Sequence, residues 1–423
     1  MHVIVVGAGI VGVCTAYFLS QEGMRVTVID RRSGVAQEAS FGNAGFVAPG
    51  YTSPWAAPAL RAGLLTGLFK PEAPVLLRPS LDPAVWRWVR QWLGQCRADR
   101  SMANHEIMQR LARYSGDQLR GLRTAHALEY EQRTGLLQLL RSDHDVAASL
   151  HTRRVLEATG VVHTVLSRDD TAQLEPSLAR AIEIGTPLAG AIHFPNDESG
   201  NCPLFARQLS NLAEAAGATF LFNATVRQLT AQAGAVQGVR LTDGRTLSAD
   251  AVVMCAGADS ARLMRPMGVR LPVLGVKTYS ANVALRPDTI GPRQTVMDEA
   301  YKTSITPFGQ RLRIAGTAEI GSRDATLRNK ALRTLSRVGM DWLPGRLDMS
   351  RTAWWSGVRP MTPDGPPVLG PTGMPRLFIN SGHGSHGWTF AAGAGRVVAD
   401  LVAGKAPAID LTGLDIGRYT RKN

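Results

Sequence analysis

The chain's 423 residues suffice for two domains, or two intertwined ones, with ample core, and its 47 lysines and arginines outweigh 34 aspartates and glutamates by 13. That basic balance admits acidic substrates, nucleic acid or anionic lipid as partners, but there is no zinc-type ligand pairing and no basic run interleaved with aromatics, which argues against a metal site and against nucleic acid. Four scattered cysteines, Cys14, Cys96, Cys202 and Cys255, lack C-x-x-C spacing and fit reduced thiols in a cytoplasmic protein.

Residues 3–6 make a short apolar, β-branched run, and Gly7, Gly9 and Gly12 follow in G-x-G-x-x-G register with Ala8, Ile10 and Val11 between them. The spacing predicts a helix to about Leu19 and then a second strand ending at Asp30. In that context Gly7 permits a tight turn, Gly9 lets backbone approach a pyrophosphate and Gly12 allows close helix packing, while the helix N-terminus offers N–H donors to an anion. Asp30 is placed to bind a ribose hydroxyl. Arg31 and Arg32 stand either as contacts to a 2′-phosphate or as solvated surface charge, so FAD, NAD and NADP all remain open here.

The stretch ASFGNAGFVAPGYTSPWAAPAL reads as a long loop in which Gly42 and Gly45 permit unusual backbone angles and Asn43 offers an amide donor. WAAPALRAGLLTGLF at 55–69, followed by Trp86, Trp88 and Trp92 among Arg87, Arg90 and Arg97, matches an interfacial membrane element and equally a buried helix packing. No apolar run reaches membrane-spanning length and the N-terminus lacks a signal peptide's basic region. A cytoplasmic protein is expected, soluble or peripheral on the inner face of the membrane. Helix is predicted over 82–132 and strand over 134–140. From Pro203 a helix leads into a strand TFLFNATV, a strand pair turning at Asp243-Gly244, and a buried strand at 251–257. Beyond 266, VKTYSANVAL and RLRIAGTAEI suggest an antiparallel sheet. The final stretch reads as strand, a turn holding Gly382, His383, Gly384 and Gly387, and a helix from about Thr389. A second glycine turn before a helix suits the far end of a long FAD better than a compact nicotinamide site.

GAGIVG with Asp30, SFGNAG at 40–45, CAGA at 255–258, WSGVRPMTPDGPPVLG at 355–370 and NSGHGSHGWT at 380–389 resemble the FAD-dependent D-amino-acid oxidase superfamily. The stretches PGYTSPWAAP, PNDESGNCPLF, MDEAYKTSIT and RPMTPDG, colinear over most of the chain, narrow the resemblance to its bacterial D-amino-acid dehydrogenase branch, specifically the small, FAD-containing subunit. The resemblance implies FAD, held by Gly7, Gly9, Ile10, Val11, Gly12, Asp30, Arg31, Ser40, Asn43, Ala44, Gly45, Val226, Ala256, Gly257, Gly382, Gly384, Gly387, Trp388 and Thr389. Val226 stands either for a backbone contact to adenine or for core packing.

The resemblance also implies that Arg359 binds a substrate carboxylate, a role suited to a planar guanidinium, against the alternative of an arginine paired with an acid such as Asp364. Tyr279 and Tyr301, on expected strands, either point hydroxyls into the substrate cavity or pack as core or edge aromatics. Lys302 either reaches the same site or is solvated. His383 lies where flavin or substrate is expected. His386 stands where related dehydrogenases often carry an apolar residue, a departure that bears on substrate preference.

The implied fold is α/β plus α+β. A Rossmann-like FAD-binding domain of the glutathione-reductase type (residues 1–50, 197–265 and 350–423) is interleaved with a substrate domain (51–196 and 266–349) built on an antiparallel β-sheet with helices. The implied activity is oxidation of D-amino acids to 2-oxo acids and ammonia by hydride transfer from Cα, with electrons passed to a quinone-type respiratory acceptor. An imino-acid dehydrogenase or a glycine/sarcosine-type oxidase is the nearby alternative, and a noncatalytic flavin electron-transfer subunit the alternative of another class. A peripheral membrane contact and a partner subunit are compatible with each.

Overall fold

A computed structural model describes residues 1–58 and 74–420. Its six-stranded sheet runs in the order Val368–Pro371, Leu377–Ser381, Ala251–Met254, His2–Val6, Arg25–Ile29, Thr219–Leu221. All neighbours are parallel except the first pair. Val3, Ile4, Val5 and Val6 are all buried, because the central strand is covered on both faces and so carries an unbroken apolar run in place of alternation. The helix Ile10–Gln21 packs on one face with Cys202–Ala215 and Gly387–Val402. Glycines set that packing distance: a Cβ on Gly395 would lie 2.9 Å from the Cys14 carbonyl carbon, and one on Gly393 2.8 Å from Ser115 Cα in the helix Ala98–His126.

The expected single strand TFLFNATV is two. Thr219–Leu221 ends the six-stranded sheet, and Val226–Gln232 opens a separate three-stranded sheet with Ala235–Leu241 and Thr246–Ser248. Asn223 turns the chain between them at φ 53, a region its short polar side chain tolerates. The Asn223 and Ala224 N–H groups donate to the carbonyls of Arg32 and Asp30, which brings Val226 beside the end of the second strand.

The larger sheet has the order Leu347–Met361, Leu274–Leu285, Arg311–Ile320, Thr303–Phe308, Thr295–Asp298, Arg133–Leu140, Gly190–Ser199, Phe46–Val47. Val75–Leu77 pairs beside Arg311–Ile320, and Thr164–Leu166 beside Gly190–Ser199. It is mostly antiparallel, as expected, but Thr295–Asp298 runs parallel to Arg133–Leu140, and Val75–Leu77 parallel to Arg311–Ile320. The boundary expected at 350 falls inside the strand Leu347–Met361, whose far end carries Arg359.

The helical stretch expected over 82–132 divides into Pro83–Gln95 and Ala98–His126. Asp82 caps the first by accepting from Ala84 N–H at 2.8 Å, with Pro83 at its first turn. Trp88 and Trp92 stack inward at 6.4 Å and pack against Trp55, which corrects the interfacial reading for those two; Trp86 stays exposed. Residues 59–69 of the suspected membrane element lie outside the described residues. Among those described, no helix is long and apolar enough to cross a membrane. All four cysteines are buried thiols, and burial pushes Cys202 and Cys255 up to about 12.

Candidate active site

Two cavities meet between the sheets. The first is lined by the glycine turn after the opening strand, by Asp30 and Arg31, by the loop from Glu38 to Phe46, by 224–226, by 255–259 and by the turn before the last helix. Gly7 sits at φ 107, and a Cβ there would lie 2.5 Å from the Cys255 carbonyl oxygen. Gly12 does not line the cavity. Its role is the close approach predicted for it, since a Cβ would lie 1.9 Å from the Gly7 carbonyl oxygen. Ser40 Oγ accepts from Ile10 N–H at 3.0 Å and so fastens the loop to the first helix's N-terminus.

Asp30 accepts from Ala8 N–H at 2.6 Å and from Arg32 N–H at 2.8 Å, and a carboxylate retains lone pairs beyond these two for a ribose. Arg31 is held by Glu38 and Asp259, and Arg32 by Glu38, so the charge that a 2′-phosphate would need is already paired. Asn43 spends its amide on its own loop, donating to the Ser40 carbonyl and accepting from Gly45 N–H, both at 2.7 Å. Ala44, Gly45, Val226, Ala256, Gly257, Gly384, Gly387 and Trp388 line the cavity; Gly382 and Thr389 do not. Thr389 Oγ1 instead accepts from Ala48 N–H at 3.1 Å.

Three lining residues carry buried polar atoms without a partner among the described residues: Asn380 Oδ1, His383 Nε2 and Trp388 Nε1. A glycine cradle, a helix N-terminus, an acid at the second strand's end and unspent hydrogen-bonding atoms elsewhere in the lining fit an elongated dinucleotide such as FAD.

The second cavity, of about 590 Å³, adjoins the first at Ala44, Phe46, Arg359, His383, Gly384 and Ser385. That volume suits a small ligand with a side chain. Arg359 donates to Ser385 Oγ at 3.0 Å, and burial lowers its guanidinium to about 10, so it is cationic at neutral pH. Asp364, its alternative partner, is taken by Arg418 at 2.9 Å and by the Tyr419 hydroxyl. Among the described residues no carboxylate forms an ion pair with Arg359.

His383 and His386 are buried and both line the second cavity. Desolvation lowers His383 to about 3. Desolvation, then the charges of Arg359 and Lys302, lower His386 to about 4, although a hydrogen bond to the Ser53 carbonyl opposes this. Both imidazoles are therefore neutral at physiological pH.

The two tyrosines do not reach either cavity. Tyr279 is fully buried in the core and donates to Glu319 Oε2 at 2.5 Å. Tyr301 lies in a turn, not on a strand, with the guanidinium carbons of Arg141 and Arg337 4.8 and 5.6 Å from its ring centroid. Of its neighbours, Lys302 lines the second cavity, the first of the two readings open for it, and Glu299, Tyr51 and Ser385, which sequence reasoning passed over, line it too. For Glu299 the signal was present in MDEAYKTSIT, but placing Tyr301 on a strand left out the turn at 299–302 that sets which of these side chains face the cavity.

Asp197 fixes the cavity wall at Gly50 and Tyr51, accepting their N–H groups at 2.7 and 3.1 Å. Burial pushes its carboxyl up to about 7. The folded state then binds the proton more tightly than the unfolded chain, so this contribution to stability is full below about pH 4 and is lost as pH rises to about 7. In urea titrations, wild type is expected to lose up to ~4 kcal/mol relative to Asp197→Asn between pH 4 and 8. A difference independent of pH would mean that Asp197 titrates like an exposed carboxyl.

Comparison with known proteins gives a consistent picture. A family model described as FAD dependent oxidoreductase, DAO, matches residues 2–401. A D-amino acid dehydrogenase of Rhodopseudomonas palustris (strain HaA2) is 43% identical over 99% of this chain and 98% of its own length. One of Granulibacter bethesdensis is 42% identical over 99% of this chain and all of its own. Among solved structures, glycine oxidase from Geobacillus kaustophilus superposes with a TM-score of 0.75 at 24% identity, covering 98% of this chain and 97% of that one. L-Proline dehydrogenase from P. horikoshii superposes with 0.74 at 19% identity, covering 99% and 98%. At such identities the structures speak for the fold alone.

Proposed function

The chain belongs to the DAO family of FAD-dependent oxidoreductases, and on that premise we propose that it oxidises D-amino acids to 2-oxo acids and ammonia, with electrons leaving to a quinone-type respiratory acceptor. The observation that carries the substrate reading is Arg359: a cationic guanidinium without a carboxylate partner among the described residues, at the junction of the two cavities.

In this reading Arg359 takes the substrate carboxylate through its planar fork, and its hydrogen bond to Ser385 fixes the plane of that fork. When bound, FAD supplies the two-electron acceptor for the hydride leaving Cα. His383 and His386 are neutral, so they add no positive charge that would draw the carboxylate away from Arg359. His383 Nε2, without a partner among the described residues, is available to hydrogen-bond the substrate amine or the cofactor edge. The imine left by loss of the hydride and an amine proton hydrolyses with one water to 2-oxo acid and ammonia. The chain's contribution is orientation and enclosure, which bring the reacting atoms together without a dedicated base. Exposed Trp86 and Leu81 beside Arg87 and Arg90 fit a peripheral contact with an anionic membrane, where such an acceptor resides.

The test is an anaerobic titration of the purified holoprotein with D-alanine, D-methionine, cis-4-hydroxy-D-proline, glycine and the L-enantiomers. Bleaching of the flavin band by the D-amino acids is the expected result. Bleaching by glycine or the cyclic substrate alone would replace this reading by the corresponding relative, and a flavin inert to all of them would remove it.

A further inference from the structure

The second cavity holds another pair of charges besides Arg359. Glu299 and Lys302 flank a tight turn between Thr295–Asp298 and Thr303–Phe308, closed by Lys302 N–H donating to the Glu299 carbonyl at 3.3 Å. Lys302 lies at φ 48, which few residues other than glycine adopt. The turn sends its side chains two ways. Asp298 and Tyr301 meet Arg141, while Glu299 and Lys302 line the cavity, ion-paired to each other. Tyr51 donates its hydroxyl to Glu299 at 3.2 Å.

Other charges lining the cavity are committed elsewhere. Lys277 is tied to Asp324 and to the Thr326 carbonyl, and Asp145 to the capping box at Ser142. Glu299 and Lys302 keep 23% and 34% of their side-chain surface. Glu299, Lys302 and Arg359 all line this one cavity, so a ligand held at the carboxylate anchor shares its space with the pair.

Resting on the D-amino-acid reading above, we propose that the Glu299–Lys302 pair is the charge filter for the substrate side chain. It makes the substrate class the D-amino acids with uncharged side chains, polar ones included, and turns away acidic and basic ones alike. A self-compensated pair offers a dipole that hydroxyl, amide or thioether groups can accept. A carboxylate drawn to Lys302 would leave Glu299 without its counter-charge in a partly desolvated cavity, and an ammonium drawn to Glu299 would do the same to Lys302. Selection then comes from the charge left unpaired, as in other sites that discriminate by penalty.

The experiment measures kcat/KM of the flavin-loaded wild type, Glu299→Gln and Lys302→Met with D-alanine, D-glutamate and D-lysine. Wild type is expected to favour D-alanine. Glu299→Gln should raise the D-glutamate to D-alanine ratio at least ~10-fold, and Lys302→Met the D-lysine to D-alanine ratio comparably. Ratios unchanged within about twofold, a uniform loss with all three substrates, or a wild type that already prefers a charged side chain would each overturn the filter. Should either variant lose its flavin, Tyr51→Phe releases Glu299 more gently and is expected to raise the D-lysine ratio about two- to threefold; no change there counts against the proposal. A wild-type flavin reduced by none of the three would instead fell the D-amino-acid reading, and the filter with it.

Discussion

Arg359→Ala is expected to lower kcat/KM for a D-amino acid by roughly two to four orders of magnitude, because removing one partner of a buried charge pair costs about 3–5 kcal/mol. The guanidinium has no competing carboxylate among the described residues, and Ser385 pre-orients it, so little is spent on rearrangement when a substrate arrives. The loss should fall mainly on KM. Arg359→Lys keeps the charge but not the fork and should lie between wild type and alanine. Stopped-flow reduction of the flavin at varied substrate, with cofactor content checked by absorbance, measures both. Full substrate affinity in the alanine variant would show that the carboxylate is anchored elsewhere.

The second large effect concerns Gly7→Ala. A Cβ at φ 107 is strained in itself, and this one would sit 2.5 Å from Cys255 O and 2.9 Å from Cys255 C, both backbone atoms with little room to yield. Gly7 N–H also donates to Ile29 O at 2.8 Å, and Cys255 N–H to Val6 O at 2.9 Å, so relief would have to part strands in the middle of the six-stranded sheet. We expect a loss of about 3 kcal/mol or more and a protein that purifies without colour. The ratio of flavin to protein absorbance and the melting temperature report the two parts. A variant with wild-type values of both would mean that the turn can move aside at no cost.

Much of this site was legible in advance because it is built from local rules. The opening strand, the glycine register and Asp30 are fixed by backbone geometry within 30 residues, and the C-terminal turn announces itself by glycine spacing. Arg359 was found by its motif, but its freedom from Asp364 depends on Arg418, which comes from the chain's last residues, and no local pattern reports that pairing. Tyr279 took the core alternative on its expected strand, and Tyr301 was placed on a strand where the chain turns, for a related reason. Which way a strand residue points is set by its register against partners far off in sequence, and the 299–302 turn inverted that sense for Tyr301. The single strand expected at 219–226 failed at Asn223, whose left-handed backbone shows only once Arg32 is seen to hold it.

The strand order of the six-stranded sheet bears on how a cell makes this protein. Leu377–Ser381, far in sequence from the opening strand, lies between Val368–Pro371 and Ala251–Met254, and the turn that follows it helps line the first cavity. A nascent chain of 370 residues has the glycine cradle but neither Trp388 nor His383, two of the residues that line the cavity. The full lining of the first cavity is therefore assembled only once synthesis has passed residue 388.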